Sequence, residues 1–203
     1  MKWKLKEIRQ ETDHPFLNYY TLIYDVIENN KHHDYSYYLV SRRKKEELLA
    51  YTHQYSTVDG IVIPLYYKDP KTNEVSLMMT RQFRPAVGTY VTSFPAGLKD
   101  KDDKDIQETI RREAKEEAGV EIADIEILSQ PGPTSSGMSD EFNMVALARI
   151  VSFGKTHLED FEDIGVELVP LQEVRRRLKD NEHYLFPVNI RILCLYLLER
   201  FDR

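Results

Sequence analysis

Three glutamates lie close together in one short segment, the R-E-A-K-E-E-A-G string at residues 112–119. On a helix, residues three and four positions apart lie on the same side, so Glu113, Glu116 and Glu117 would project together. Carboxylates this close repel one another, and hard oxygen ligands of this kind are those that Mg²⁺ prefers. Spacing alone favours a plainer interpretation, a solvated acidic helix face whose glutamates pair with neighbouring basic residues.

A helix over residues 105–118 is predicted to carry this segment. Ile106, Ile110, Ala114 and Ala118 recur every four residues as an apolar stripe, and Gly119 follows as a C-terminal stop. Residues 19–27 and 35–40 are predicted to form a β-hairpin around a turn at residues 29–31. Further predicted strands are 58–67, 75–82, 122–128, 143–151 and 166–170, and further predicted helices are 171–180 and 188–201. Strands and helices mix without a regular βαβ alternation, which predicts an α+β fold with a mixed sheet.

The composition is that of an ordinary globular protein. Of 203 residues, 41% are hydrophobic and 31% are charged, and the formal net charge is −6. This acidity argues against polymeric nucleic acid as a partner, and no apolar run approaches the roughly 18–20 residues of a membrane span. Because the first thirteen residues form no apolar signal region and Cys194 is the single cysteine, we expect a cytoplasmic protein without membrane or nucleic-acid partners.

The string R-E-x-x-E-E-x-G, followed by an aliphatic residue, resembles the second half of the Nudix box. Segments 79–88 (MTRQFRPAVG), 93–98 (SFPAGL) and 137–141 (GMSDE) are similar to motifs of the ADP-ribose pyrophosphatase branch of that family. The likeness runs from about Val58 to Leu178. It implies a Nudix α/β/α sandwich with a mixed sheet at residues 56–203. A small N-terminal β region at residues 1–55 would precede this domain, and in the family such a region commonly builds a homodimer.

The resemblance also implies roles for individual residues. Glu113, Glu116 and Glu117 would be ligands of Mg²⁺, with Mn²⁺ as the alternative, and the backbone carbonyl of Ala96 would be a further ligand. Glu116 and Glu117 would also act in catalysis. A glutamate in a late loop of this branch helps to deprotonate or orient the attacking water, and Glu162 is the candidate here, with Glu159 second.

Two arginines in the same motif are candidates for binding the substrate. By the resemblance, Arg81 and Arg84 would hold the diphosphate or the terminal ribose, because a guanidinium offers a rigid fork of donors to phosphate. Taken alone, each arginine is more simply explained as half of a surface salt bridge.

The sequence departs from the family pattern in the first half of the box. The pattern's glycine and glutamate would fall at Leu98 and Lys104, whereas the glycine stands at Gly97. Asp103 or Asp105 is the candidate substitute for the missing glutamate. Ser93 stands where this branch often has a glutamate, and no proline occupies the position expected near residue 136.

The resemblance implies Mg²⁺-dependent hydrolysis of a nucleoside diphosphate sugar, with ADP-ribose giving AMP and ribose 5-phosphate. The departures bear mainly on the substrate, so another nucleotide sugar is the nearest alternative. A second alternative, from a different class, is a Nudix-like module that senses a nucleotide without cleaving it. Retention of Glu113, Glu116 and Glu117 argues against this sensor, since a sensor does not need the metal ligands.

Overall fold

The computed structural model describes residues 1–158 and 163–202, which form two compact units. The first unit comprises Met1–Asp59 with Pro131–Asn143, and the second comprises Gly60–Gln130 with Met144–Arg203. The predicted domain boundary between residues 55 and 56 stays a prediction. Among the described residues, no helix combines the length and the apolar character that crossing a membrane requires.

The first unit is built on a three-stranded antiparallel sheet. Its strands are β1 (Lys2–Gln10), β2 (Asn18–Glu28) and β3 (Lys31–Ser41), in the order β1-β2-β3. The predicted hairpin is confirmed: Asn29 and Asn30 have φ values of 50° and 60°, which asparagine tolerates better than most residues. A short 3-10 helix (Lys45–Glu47) and α1 (Leu49–Thr52) follow.

β1 is not evident in the sequence, because most of its side chains are polar and exposed. Its Trp3 packs edge-on against Tyr24 and Tyr35, with ring centroids 5.8 Å and 5.4 Å away. A small core anchors this sheet. It comprises Ile8, Tyr20, Leu22, Leu39 and Leu48.

The second unit is organised by an eight-stranded mixed sheet. Its strands are β4 (Gly60–Val62), β5 (Leu65–Lys68), β6 (Val75–Arg84), β7 (Thr89–Ser93), β8 (Ala96–Leu98), β9 (Val120–Pro133), β10 (Phe142–Phe153) and β11 (Ile164–Pro170). The main order is β11-β6-β5-β10-β4-β8, with β7 paired to β6 and β9 paired to β10. The sheet is mixed because β5 and β10 run parallel, whereas β6 runs antiparallel to β5, β7 and β11.

The single strand predicted at residues 58–67 is wrong, since the chain forms two short strands there, β4 and β5. The break falls at Ile63 and Pro64. Pro64 has no N–H to donate to a sheet, and Ile63 donates instead to the carbonyl of Pro95 at 2.7 Å.

Three longer helices lie against the large sheet: α2 (Ile106–Ala118), α3 (Leu171–Arg177) and α4 (Val188–Phe201). One face of the sheet packs with α3 and α4 in a single core cluster. The cluster comprises Leu77, Met79, Phe94, Leu147, Val169, Val174, Leu178, Phe186, Ile190, Cys194, Leu197 and Leu198. α2 contributes no residue to this cluster and contacts β8 and β11 from the other face. The predicted α+β class with an α/β/α sandwich is therefore confirmed.

Candidate functional site

The position of α2 is fixed at both of its ends. At the N-terminus, the Asp105 side chain accepts hydrogen bonds from the backbone N–H groups of Gln107 and Glu108, at 2.9 Å and 3.0 Å. At the C-terminus, Gly119 has a φ of 63°, and a Cβ built there would lie 2.8 Å from the backbone of Lys155. These local signals explain why the helix predicted from the sequence forms and where it ends.

The glutamates of α2 face the short strand β8. Glu113 and Glu117 are both buried, and Glu117 Oε2 accepts a hydrogen bond from the backbone N–H of Ala96 at 2.9 Å. Glu113 packs against Gly97 so closely that a Cβ built on Gly97 would lie 1.9 Å from the Glu113 carboxyl carbon. Burial raises the pKa of the Glu113 carboxyl, although the nearby Arg112 guanidinium acts in the opposite direction. The structure thus brings these two predicted ligands and Ala96 together.

Arg112 connects the glutamates to the loop that precedes α2. Its Nη1 donates to Glu113 Oε1 at 2.8 Å and to Glu116 Oε2 at 3.0 Å. Its Nη2 donates to the carbonyl oxygen of Leu98 and to Asp103 Oδ2, both at 3.0 Å. One guanidinium therefore fixes two carboxylates and the loop at the same time.

Asp103 and Asp105, the two candidates for the missing box glutamate, have different roles. Asp103 is buried and accepts hydrogen bonds from Arg112, from the Thr109 hydroxyl at 2.9 Å and from the Asp100 N–H at 3.0 Å. Hydrogen bonding to Arg112, more than any other contact, lowers the pKa of Asp103 to about 2. Asp103 therefore supports the loop in front of α2, whereas Asp105 caps the helix. Sequence spacing could not separate these roles, because both aspartates lie within two residues of the expected position.

The donors around Glu113 suit a hard divalent cation. Within the described part of the chain, no three His, Cys, Asp or Glu side chains already converge as a metal cage. Glu113 and Glu116 nevertheless hold one positively charged nitrogen between them, Nη1 of Arg112, so the space between their carboxylates attracts positive charge. Carboxylate and carbonyl oxygens are the ligands that Mg²⁺ and Mn²⁺ take in proteins, so the residues present fit the predicted metal.

The two candidate arginines project from opposite faces of β6. Arg81 pairs with Thr92 across the β6–β7 ladder and lies on the α3/α4 face, where its guanidinium stacks over the Tyr90 ring at 4.4 Å. Arg84 pairs with Thr89 at the exposed end of β6 and belongs to the face occupied by α2. The alternation of side chains along a strand thus separates Arg81 from the α2 glutamates. Sequence reasoning missed this separation, although the odd spacing of the two arginines signals it.

Two further sequence predictions have different outcomes. Glu162, the predicted water-activating residue, and Glu159, the second choice, lie outside the described residues. The loop at residues 137–141 belongs to the first unit, where Asp140 accepts a hydrogen bond from the Leu49 N–H at 3.2 Å. There Arg43 donates to the Asp140 carbonyl at 2.8 Å and pairs with Asp59 at 2.7 Å.

Comparison with known proteins places these observations in a family context. The family model described as the NUDIX domain matches residues 61–188, which is more than half of the chain. A crystal structure of an ADP compounds hydrolase superposes with a TM-score of 0.70 over 99% of this chain and 94% of that chain, at 14% sequence identity. At this identity the likeness supports the fold alone. No curated protein matches the sequence.

Proposed function

The chain belongs to the NUDIX domain family, and on that premise we propose that it hydrolyses the pyrophosphate of a nucleoside diphosphate sugar. The proposed reaction is attack of water on a phosphorus of ADP-ribose, which gives AMP and ribose 5-phosphate. The observation that carries the proposal is the packing of the Glu113 and Glu117 carboxylates against Ala96 and Gly97. The choice of a nucleoside diphosphate sugar follows the resemblance of segments 79–88 and 93–98 to the ADP-ribose pyrophosphatase branch.

We propose that Glu113, Glu116, Glu117 and the Ala96 carbonyl hold Mg²⁺ or Mn²⁺. When bound, such an ion neutralises charge on phosphate oxygens and lowers the pKa of a water molecule. Glu117 is oriented for this role by the Ala96 N–H. Arg112 keeps the Glu113 and Glu116 carboxylates side by side, and Asp103 keeps Arg112 in place.

Other residues of the chain would bind the substrate and activate water. Arg84 lies on the α2 face of β6, and its guanidinium fork suits a phosphate of the substrate. Glu116 and Glu117 would orient the attacking water or accept its proton, and Glu162 stays the proposed additional base. Arg81, also predicted as a substrate ligand, projects from the opposite face of the strand, so this role stays a prediction and the proposed reaction at the α2 glutamates does not use it.

Two further expectations belong to this proposal. We expect a homodimer built by the N-terminal β region, residues 1–55, as the family resemblance implies. We also expect a cytoplasmic location, which agrees with the buried and unpaired thiol of Cys194.

The proposal is tested by AMP release from ADP-ribose with Mg²⁺, compared between the wild type and Glu117→Gln. We expect turnover to fall by about a hundredfold or more in the variant, because the amide is a poorer metal ligand and cannot accept the water proton. Glu121→Gln is the matched control, since Glu121 is exposed and pairs with Lys115 at 3.3 Å. Its turnover should equal that of the wild type.

A panel of nucleotide sugars separates the alternatives. Faster turnover of another nucleotide sugar would support the proposed hydrolysis and would identify that sugar, and not ADP-ribose, as the preferred substrate. Tight binding of a nucleotide sugar without turnover of any member of the panel would reject hydrolysis and favour the sensing module.

A further inference from the structure

A second cleft lies in the same unit, on the α3/α4 face of the sheet. It has a volume of about 470 Å³ and lies between β6, β7, β11 and the chain segment from Arg177 to Tyr184. This volume is within the range of roughly 300–1,000 Å³ that small-molecule sites occupy. The sheet separates the cleft from the α2 glutamates, because the lining residues Met79 and Arg81 project away from them.

Arg81 brings positive charge to this cleft. Among the described residues it forms no ion pair, and its guanidinium lies over the Tyr90 ring, 4.4 Å from the ring centroid. Arg177, the other arginine of the cleft, differs, because it is paired with Glu167 at 2.7 Å and with Glu173 at 2.9 Å. The fork of Arg81 therefore remains available for an anion.

Thr92 adds a hydroxyl beside that charge. Thr92 is directly opposite Arg81 in the β6–β7 register, so the two side chains share one face of the sheet. Thr92 is 4% exposed and lines the cleft. Its N–H, by contrast, donates to the Leu185 carbonyl at 2.8 Å. A threonine hydroxyl in the wall of the cleft can donate a hydrogen bond to a phosphate oxygen.

We propose that this cleft binds a small phosphate ester that carries hydroxyl groups. Arg81 donates its fork to two phosphate oxygens, and the Thr92 hydroxyl donates to the phosphate from the floor of the cleft. The exposed carboxylate of Glu167, on the same face, accepts from a ligand hydroxyl. Gly165 lacks a side chain and leaves the strand backbone open to the ligand. This binding site does not depend on the function proposed for the α2 glutamates.

The test is binding of glycerol phosphate and of inorganic phosphate to the full chain, without metal, followed by amide NMR. Gly165 reports on the cleft, and Gly97 reports on the separate site at Glu113. We expect saturable shifts at Gly165 and Thr92 with glycerol phosphate, no shift at Gly97, and weaker binding of inorganic phosphate, which has no carbon-bound hydroxyl for Glu167.

Variants assign the binding to the proposed side chains. Arg81→Ala and Thr92→Val should each weaken glycerol phosphate binding by about tenfold or more, which corresponds to loss of a charge-assisted or buried hydrogen bond. Arg149→Ala is the matched control, since Arg149 is an exposed arginine of the same unit that pairs with Asp124 instead. Its binding should equal that of the wild type.

Three results would overturn the proposal. The first is a titration of the wild type in which the Gly165 amide signal does not shift, or in which only the Gly97 amide signal shifts. The second is equal affinity of Arg81→Ala and wild type, a comparison that stays valid if Thr92→Val fails to fold, because Arg81 is exposed. The third is equal affinity for inorganic phosphate and glycerol phosphate, which would reject the ester.

Discussion

The contact between Gly97 and Glu113 joins two residues that are far apart in the sequence and meet at the candidate metal site. A methyl group at position 97 would overlap the buried Glu113 carboxyl group. A carboxyl group is the end of a flexible side chain, so the overlap is relieved by a rotamer change that costs about 0.5–1.5 kcal/mol. Gly97→Ala should therefore affect the position of Glu113 more than the stability of the fold.

We predict that Gly97→Ala lowers AMP release from ADP-ribose by about a hundredfold, because Glu113 leaves its position as a metal ligand. The free energy of unfolding should fall by only about 1 kcal/mol. Gly132→Ala is the control, since a Cβ built on Gly132 meets no atom within 4 Å. Unchanged hydrolysis in Gly97→Ala would contradict the assignment of Glu113 as a ligand.

The Asp103 carboxylate predicts a specific response of stability to acid. Its pKa in the folded protein is about 2, below the ordinary 3.8, mainly because Arg112 donates hydrogen bonds to it. A lowered folded-state pKa means that the stabilisation is complete above about pH 4 and is lost as the pH falls towards 2. The difference between the two pKa values corresponds to about 2 kcal/mol of stabilisation.

We predict that Asp103→Asn is less stable than the wild type by about 2 kcal/mol at pH 6 and loses less stability between pH 6 and pH 3. Urea unfolding at a series of pH values measures both effects. The adjacent and exposed Asp102→Asn is the control and should follow the wild type. Parallel pH curves for Asp103→Asn and wild type would show that the Arg112 contact does not determine the acid response.

At the scale of elements, the N-terminus of α2 depends on one side chain. Asp105 accepts from two backbone N–H groups that no residue of the helix can satisfy. We predict that Asp105→Ala lowers the free energy of unfolding by about 1 kcal/mol, and that Asp105→Ser, which retains a capping oxygen, recovers most of it. Chemical denaturation checks this, and equal loss in both variants would mean that capping is not what Asp105 contributes.

The alternation of side chains along β6 divides two neighbouring arginines between different environments. Arg81 and Arg84 are three residues apart, an odd spacing, so a strand directs them to opposite faces. A motif match treats them as one group, because it records spacing but not direction. The pairing of β6 with β7 and β11 is what assigns Arg84 to the α2 face and Arg81 to the α3/α4 face.

At the scale of the whole molecule, we predict a homodimer whose mass is twice the 23.9 kDa of one chain. Light scattering measures this mass directly. The sheet of the first unit exposes aromatic rings on both faces, with Tyr35 on one face and Tyr38 on the other. Exposed aromatic residues of this kind are enriched at subunit interfaces.

Charged substitutions locate the interface. At least one of the two substitutions, Tyr35→Glu or Tyr38→Glu, should give monomers. The interface would cover one of these faces, and a buried charge without a partner opposes association. Tyr196→Glu, on the exposed side of α4, is the control and should remain a dimer. A monomeric wild type would reject the homodimer. Dissociation by Tyr196→Glu alone would indicate that the interface lies at α4 and not in the N-terminal region.

The sequence by itself determined the elements whose signals lie within a few residues of one another. The apolar stripe at Ile106, Ile110, Ala114 and Ala118 predicted α2, and the residues at 29–31 predicted the β2–β3 turn. The shared side of the three glutamates follows in the same way, since one turn of helix fixes it. Local periodicity and turn chemistry are encoded by neighbours, so no tertiary contact is needed to infer them.

Only the tertiary structure decided what depends on register and on distant partners. Asp103 rather than Asp105 supports Arg112, because the loop folds back onto α2. The contact of Gly97 with Glu113 and the break at Pro64 likewise follow from how β8 lies beside β4 and α2. The residues in these contacts are separated along the chain by distances that match no helix or strand period. Their contacts are therefore determined by packing and strand pairing, which the sequence pattern does not show.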